Sequence, residues 1–170
     1  PCGTLFPYTT LFRSVYLHDQ REGAAEAGRD GIAKQLQRRV DKGKMQQQEL
    51  DAVIGRIHPV ANLDDVADAG LVIEAIIEDL KIKRQLLANL ESLCAEDAIL
   101  ATNTSSISVT ALGAEMNKPE RLVGMHFFNP APLMALVEVV MGLATSQTVA
   151  DTVHATATAW GKKPVYATST

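Results

Sequence analysis

Leu71-Val-Ile-Glu-Ala75 is followed by Ile82, Leu86, Leu90 and Leu93 at helical spacing, and then by Ala98-Ile-Leu-Ala-Thr102. The two end segments are short apolar runs, the pattern of strands buried in a sheet. The middle predicts an amphipathic helix over about 79–94, whose apolar stripe packs on that sheet. Strand, helix and strand within residues 71–102 form a βαβ unit. Its crossover makes the two strands parallel.

The same alternation continues on both sides. Upstream, Val15-Tyr-Leu-His-Asp19 reads as a strand, and residues 22–44 as a helix with Ile32, Leu36 and Val40 four apart. Gly23, Gly28 and Gly31 weaken its first part. A shorter helix is expected near 47–54 and a strand over 56–60, with Pro59 demoting the latter to an edge or an end. Residues 62–68 read as a short acidic helix or turn. Downstream come a helix near 108–114, strands over 122–126 and 135–141, a helix over 148–160 and a strand over 164–168. Strands alternating with helices imply an α/β fold, a doubly wound Rossmann-type sheet that is mostly parallel.

Ligands of such sheets sit beyond the carboxyl ends of the strands. Asp19, residues 74–78, 103–106 and 126–129 all fall at or just past a strand end. A dinucleotide-binding sheet opens with a strand and a G-x-G-x-x-G turn, and an acid about 20 residues later accepts from the ribose hydroxyls. Asp19 is a candidate for that acid, and its alternative is a turn former at a strand end. Counting back from Asp19 puts the glycine turn upstream of the chain. A carboxylate there favours NAD over NADP, although Arg21 is near. His126 ends a strand, and histidine suits base catalysis near neutral pH. Glu138 lies in the apolar run Leu136–Val140, where a charge needs a partner. Either His126 is that partner, or Glu138 faces solvent on an edge strand. Ser105 and Asn129 offer polar groups to a ligand, or serve only loop geometry. Lys34, Arg38 and Lys42 share a helix face, either solvated or set for the phosphates of a coenzyme. His18, His58 and His154 have no partner pattern.

The 170-residue chain is 46% hydrophobic and 21% charged, which excludes disorder and a disulfide scaffold. Its formal charge of −4 gives no basic excess for a nucleic-acid partner. No apolar run reaches the roughly 20 residues of a membrane span. Cys2 and Cys94 match no metal spacing, so no metal is expected. Together these point to a cytoplasmic protein. Residues 5–14 match one reading frame of a common sequencing adapter, so 1–14 are expected to be non-native and 15–170 a partial domain. The chain is read as a fragment truncated at both ends and inactive by itself.

Val72-Ile-Glu-Ala-Ile-Ile-Glu-Asp-Leu-Lys81, Asn103-Thr-Ser-Ser106, His126-Phe-Phe-Asn-Pro130 and Leu136-Val-Glu-Val139 occur in this order. Together they resemble the NAD-binding domain of L-3-hydroxyacyl-CoA dehydrogenases, from Val15 to the end of the chain. The resemblance implies oxidation of (S)-3-hydroxyacyl-CoA to 3-ketoacyl-CoA with NAD as cofactor. It makes His126 the general base and Glu138 the carboxylate paired with it. Ser105 and Asn129 become polar groups near substrate and nicotinamide, Asp19 the adenosine-ribose acid, and Glu78 and Lys83 further NAD contacts. Lys42 matches a CoA-contacting lysine, but Gln35 stands where the family often has a serine for the same coenzyme. The resemblance also implies a separate all-helical domain and a homodimer formed through it. The stretches Gly142-Leu-Ala-Thr145 and Val165–Thr170 are similar to bacterial members that act on 3-hydroxyadipyl-CoA in phenylacetate breakdown. Butyrate-type members are the next choice. Two rival classes remain: a non-catalytic structural relative, and a Rossmann-like binding module that never had the glycine turn.

Overall fold

The computed structural model describes residues 14–169, so the expectation of a non-native segment over 1–14 lies, Ser14 apart, outside the described residues. The chain divides into two compact units, residues 1–66 and 67–170.

In the first unit, β1 (Val15–His18) leads through α1 (Ala24–Asp41) and α2 (Gln47–Ile54) to β2 (Ile57–Val60) and a 3-10 turn (Leu63–Val66). Gly23 enters α1 at φ +73°, a left-handed conformation that glycine adopts without strain. At the start of α2 the Gln46 N–H donates to the Glu49 carboxylate at 2.7 Å, closing off one orphan donor of the helix. β1 and β2 are parallel, with Leu17 opposite Pro59. The Val15 N–H donates to the Arg56 carbonyl at 2.8 Å. The alternation of a parallel ladder then leaves the donor that Pro59 lacks on the side away from β1, where the proline costs no ladder bond.

The second unit is a five-stranded sheet in the order β3 (Leu71–Glu74), β4 (Ile99–Thr102), β5 (Leu122–Phe127), β6 (Leu136–Met141), β7 (Lys163–Thr168). α3 (Leu80–Leu93) links β3 to β4, α4 (Val109–Gly113) lies between β4 and β5, and α5 (Gln147–Ala159) links β6 to β7. A 3-10 turn at Pro119–Arg121, not expected from the sequence, precedes β5. β3, β4 and β5 are parallel, β6 runs antiparallel to β5, and β7 is parallel to β6. Residues 128–135 are too few for a crossover helix, so the chain must return alongside β5 in the opposite sense.

One face of this sheet buries Ile99, Ala101, Val123, Met125, Val137 and Val139 against Ala150, Val153 and Ala157 of α5. Leu100 and Leu122 alternate to the other face, the side of α3 and α4, where Leu87, Leu90 and Leu112 are also buried. Within α3 the buried stripe differs from the expected one. Ile82 is exposed, and the buried positions are Lys83, Leu87 and Leu90, with Cys94 just beyond the helix end. The stripe is rotated because Lys83 turns inward to a buried acid. β3 is also less enclosed than its apolar run implies. Among the described residues it pairs with β4 alone, and Ile73 is exposed.

Candidate functional site

The reversal at residues 128–135 sets the centre of the site. It places Glu138 directly opposite His126 across the β5–β6 ladder. The His126 Nδ1–H donates to Glu138 Oε2 at 2.8 Å. A carboxylate accepts only, so Nδ1 carries a proton, and in the neutral ring the lone pair is therefore on Nε2. The side chains are 16% and 36% exposed, so the pair is sheltered but open on one side. The His126 ring packs on Phe128, with centroids 4.6 Å apart. Gly124, two residues before the histidine, allows the close approach of β6. A Cβ there would lie 2.7 Å from the Val140 Cβ.

The carboxyl ends of β3 and β4 flank this pair in strand order. Asn103, just past β4, donates its N–H to the Glu74 carbonyl at 2.8 Å, and its Oδ1 accepts the Phe127 N–H at 2.8 Å. One residue, through its backbone N–H and its side-chain oxygen, thus ties three strand ends together, next to the histidine. The Asn103 motif was legible in the sequence, but this role was not, because both its partners are distant along the chain.

A buried ionic network supports the same rim. The Lys83 ammonium sits 2.5 Å from Glu74 Oε1, 3.2 Å from the Ile76 carbonyl and 3.3 Å from Glu78 Oε2. Glu74 also accepts the Ile76 N–H and the Thr102 hydroxyl, each at 2.8 Å. The resemblance made Lys83 an NAD contact, yet its side chain is 1% exposed and its ammonium faces protein. Its direct partners are Glu74 and Glu78, and sequence reasoning gave Glu74 no role.

Glu78 Oε1 accepts the Thr104 hydroxyl, the Ser105 N–H at 3.1 Å, the Ser106 N–H at 3.3 Å and the Ser106 hydroxyl at 3.1 Å. Burial opposes its ionisation most strongly. The Thr104 hydroxyl, the Lys83 ammonium and the Ser106 N–H together outweigh that and hold its carboxyl at about 2. Ser105 and Asn129 are exposed. Among the described residues the Ser105 hydroxyl and the Asn129 carboxamide make no hydrogen bond, so both are available to a ligand.

Asp19 and Lys42 belong to the first unit. Asp19 lies just past β1. The Arg21 N–H and Nε–H donate to its Oδ1 at 2.9 and 3.1 Å, and Nη2 donates to Oδ2 at 3.2 Å. The Arg21 guanidinium and backbone N–H hold the Asp19 carboxyl below its ordinary value. Lys34, Arg38 and Lys42 are exposed, the last just beyond the end of α1. Gln35 is exposed as well. No group of three or more His, Cys, Asp or Glu side chains among the described residues could hold a metal ion. A groove between α3 and α4, lined by Asp79, Arg84, Leu112 and Met116, includes neither His126 nor Glu138.

Residues 12–170 match the family of the 3-hydroxyacyl-CoA dehydrogenase NAD binding domain. The 3-hydroxyadipyl-CoA dehydrogenase of Escherichia coli is 45% identical over 156 residues, covering 92% of this chain and 33% of that protein. A probable 3-hydroxybutyryl-CoA dehydrogenase of Bacillus subtilis is 44% identical over 151 residues, covering 89% of this chain and 53% of that protein. The crystal structure of 3-hydroxybutyryl-CoA dehydrogenase from Escherichia coli superposes with a TM-score of 0.90 at 44% identity, over 92% of this chain and 33% of that one. The chain thus spans about a third to a half of the length of these curated relatives. With a family match over nearly its whole length and the mostly parallel α/β sheet that the match requires, the chain belongs to the 3-hydroxyacyl-CoA dehydrogenase NAD-binding-domain family.

Proposed function

We propose that the protein carrying this chain oxidises an (S)-3-hydroxyacyl-CoA to the 3-ketoacyl-CoA, with His126 as general base and Glu138 as its partner. The observation that carries this reading is the 2.8 Å bond from His126 Nδ1 to Glu138, made across two strands at the ligand-binding rim. The residues present fit NAD. Asp19 is an ionised acceptor just past a strand end, suited to ribose hydroxyls, and Ser105 and Asn129 hold unused polar groups. NAD, when bound, supplies the hydride acceptor.

The chain's own residues do the rest. The bond to Glu138 fixes the His126 ring with Nε2 free, and Nε2 takes the proton of the substrate's 3-hydroxyl as the C–H bond is oxidised. The positive imidazolium that results is stabilised by the carboxylate already bonded to its other nitrogen. Ser105 and Asn129 orient the substrate oxygen and the nicotinamide carboxamide. Lys42, just beyond the end of α1, meets the CoA phosphates. Lys83 takes part through Glu78 and not by touching the cofactor.

The relatives' names supply two substrates to assay, 3-hydroxyadipyl-CoA and 3-hydroxybutyryl-CoA. No helix among the described residues is long and apolar enough to cross a membrane. We place the parent protein in the cytoplasm as a homodimer. The test is a chimera in which residues 15–170 replace the matching segment of the Escherichia coli relative. It should form NADH with an (S)-3-hydroxyacyl-CoA, and His126→Ala should lower kcat by about 10² to 10⁴. A chimera that folds and binds NAD but transfers no hydride refutes the proposal.

A further inference from the structure

The loop after β4 carries Ser105, yet the stretch Thr104-Ser-Ser106 has no apolar side chain to anchor it. Its hold comes from the connection between β3 and α3. One oxygen of Glu78 takes the Thr104 and Ser106 hydroxyls and the Ser105 and Ser106 N–H groups. The other oxygen faces the Lys83 ammonium at 3.3 Å. Lys83 is itself fixed by Glu74, and Glu74 by the Thr102 hydroxyl at the end of β4. A closed circuit of charged hydrogen bonds therefore runs from β4 through β3 and α3 back to the loop that follows β4.

We propose that Glu78, backed by Lys83 and Glu74, is a positioning residue whose carboxylate sets the Ser105–Ser106 backbone so that the Ser105 hydroxyl is presented at the ligand-binding rim. This deepens the dehydrogenase reading and rests on it for the role of Ser105. The chemistry requires a carboxylate at residue 78. Both of its ends meet donors, an ammonium on one side and N–H and O–H groups on the other. Glutamine has one acceptor end and one donor end, so in either orientation its NH2 confronts donors. Charge-assisted hydrogen bonds are also the strong ones, and four donors converge on one oxygen here.

The first measurement is amide hydrogen exchange of the 170-residue chain. In Glu78→Gln the Ser105 and Ser106 amides should exchange about tenfold faster or more, the loss expected for a bond to a charged acceptor. The amides of Leu122–Phe127 should keep their protection, which shows that the sheet is intact. If Glu78→Gln does not fold, Glu78→Asp serves instead, since the shorter acid keeps the charge and withdraws from the loop. Unchanged exchange at Ser105 and Ser106 overturns the proposal. The second measurement is a double-mutant cycle in the chimera. Ser105→Ala and Glu78→Gln should each lower kcat, and the double variant should be no slower than Ser105→Ala alone. Additive losses would overturn the positioning role. An inactive wild-type chimera would count against the dehydrogenase reading, and the exchange result would still decide whether Glu78 sets the loop.

Discussion

Glu138→Gln removes one charge and keeps the shape, so it tests the paired base more sharply than truncation does. The glutamine carbonyl can still accept from His126 Nδ1, and the ring should stay in place. The lost quantity is the attraction between a carboxylate and the imidazolium that forms during reaction. At the observed 2.8 Å that attraction is about 1.5 kcal/mol with bulk-water screening and about 6 kcal/mol at an effective dielectric near 20. With the histidine 16% and the glutamate 36% exposed, the real value falls between these limits. A loss of about 3 to 4 kcal/mol corresponds to a fall in kcat of about 10² to 10³. A general base acts from its uncharged form, so the lost attraction belongs to the charged state formed during reaction, and KM for the acyl-CoA should change by less than about threefold. The assay is initial-rate NADH formation by the chimera, with substrate varied at saturating NAD. A kcat within about threefold of wild type would refute the reasoning, since the carboxylate would then contribute nothing to the charged state. A large rise in KM with kcat unchanged would also refute it, by showing that Glu138 serves binding.

Two further outcomes follow from the ionic network. Lys83→Met leaves the buried Glu74 carboxyl short of its cation, and should destabilise the second unit by about 3 to 5 kcal/mol. Urea unfolding followed by far-UV circular dichroism measures this, and a loss below about 1 kcal/mol would contradict a buried ion pair. The Glu78 carboxyl, held at about 2 against an ordinary 4.5, binds its proton less readily in the folded chain than in the unfolded one. Its contribution to stability is therefore fully present above about pH 4.5 and is lost as pH falls towards 2. Carbon-detected titration of the Glu78 carboxyl should show its midpoint well below that of an exposed glutamate. A midpoint near the ordinary value would mean that the loop donors do not hold it.

Much of the fold was readable from local patterns. Alternating apolar runs and helical stripes are properties of neighbouring residues, so the βαβ unit at 71–102 and the order of later elements follow from spacing alone. The helix expected over about 79–94 runs Leu80–Leu93, and Asp79 accepts the Ile82 N–H at 2.9 Å at its start, a cap that the sequence reading did not single out. The residue types at the rim could be named: His126, Ser105 and Asn129 from their places at or just past strand ends, Glu138 as a charge within an apolar strand, and all four from the resemblance.

Only the tertiary structure decided what those residues touch. An apolar run has a period but no direction, so the antiparallel course of β6 was open. That course is what sets Glu138 opposite His126. Lys83 is charged, and charge on a helix ordinarily reads as a solvated face. It is buried because Glu74, nine residues away on another element, supplies the compensating charge. The Asn103 bond to Phe127 and the four donors on Glu78 join residues 24 to 28 apart in sequence. By itself the sequence determined which chemical groups the chain carries and which local elements hold them. The partners of those groups were decided by the stacking of strands, because a charge or a donor finds its complement in space and periodicity along the chain carries no record of it.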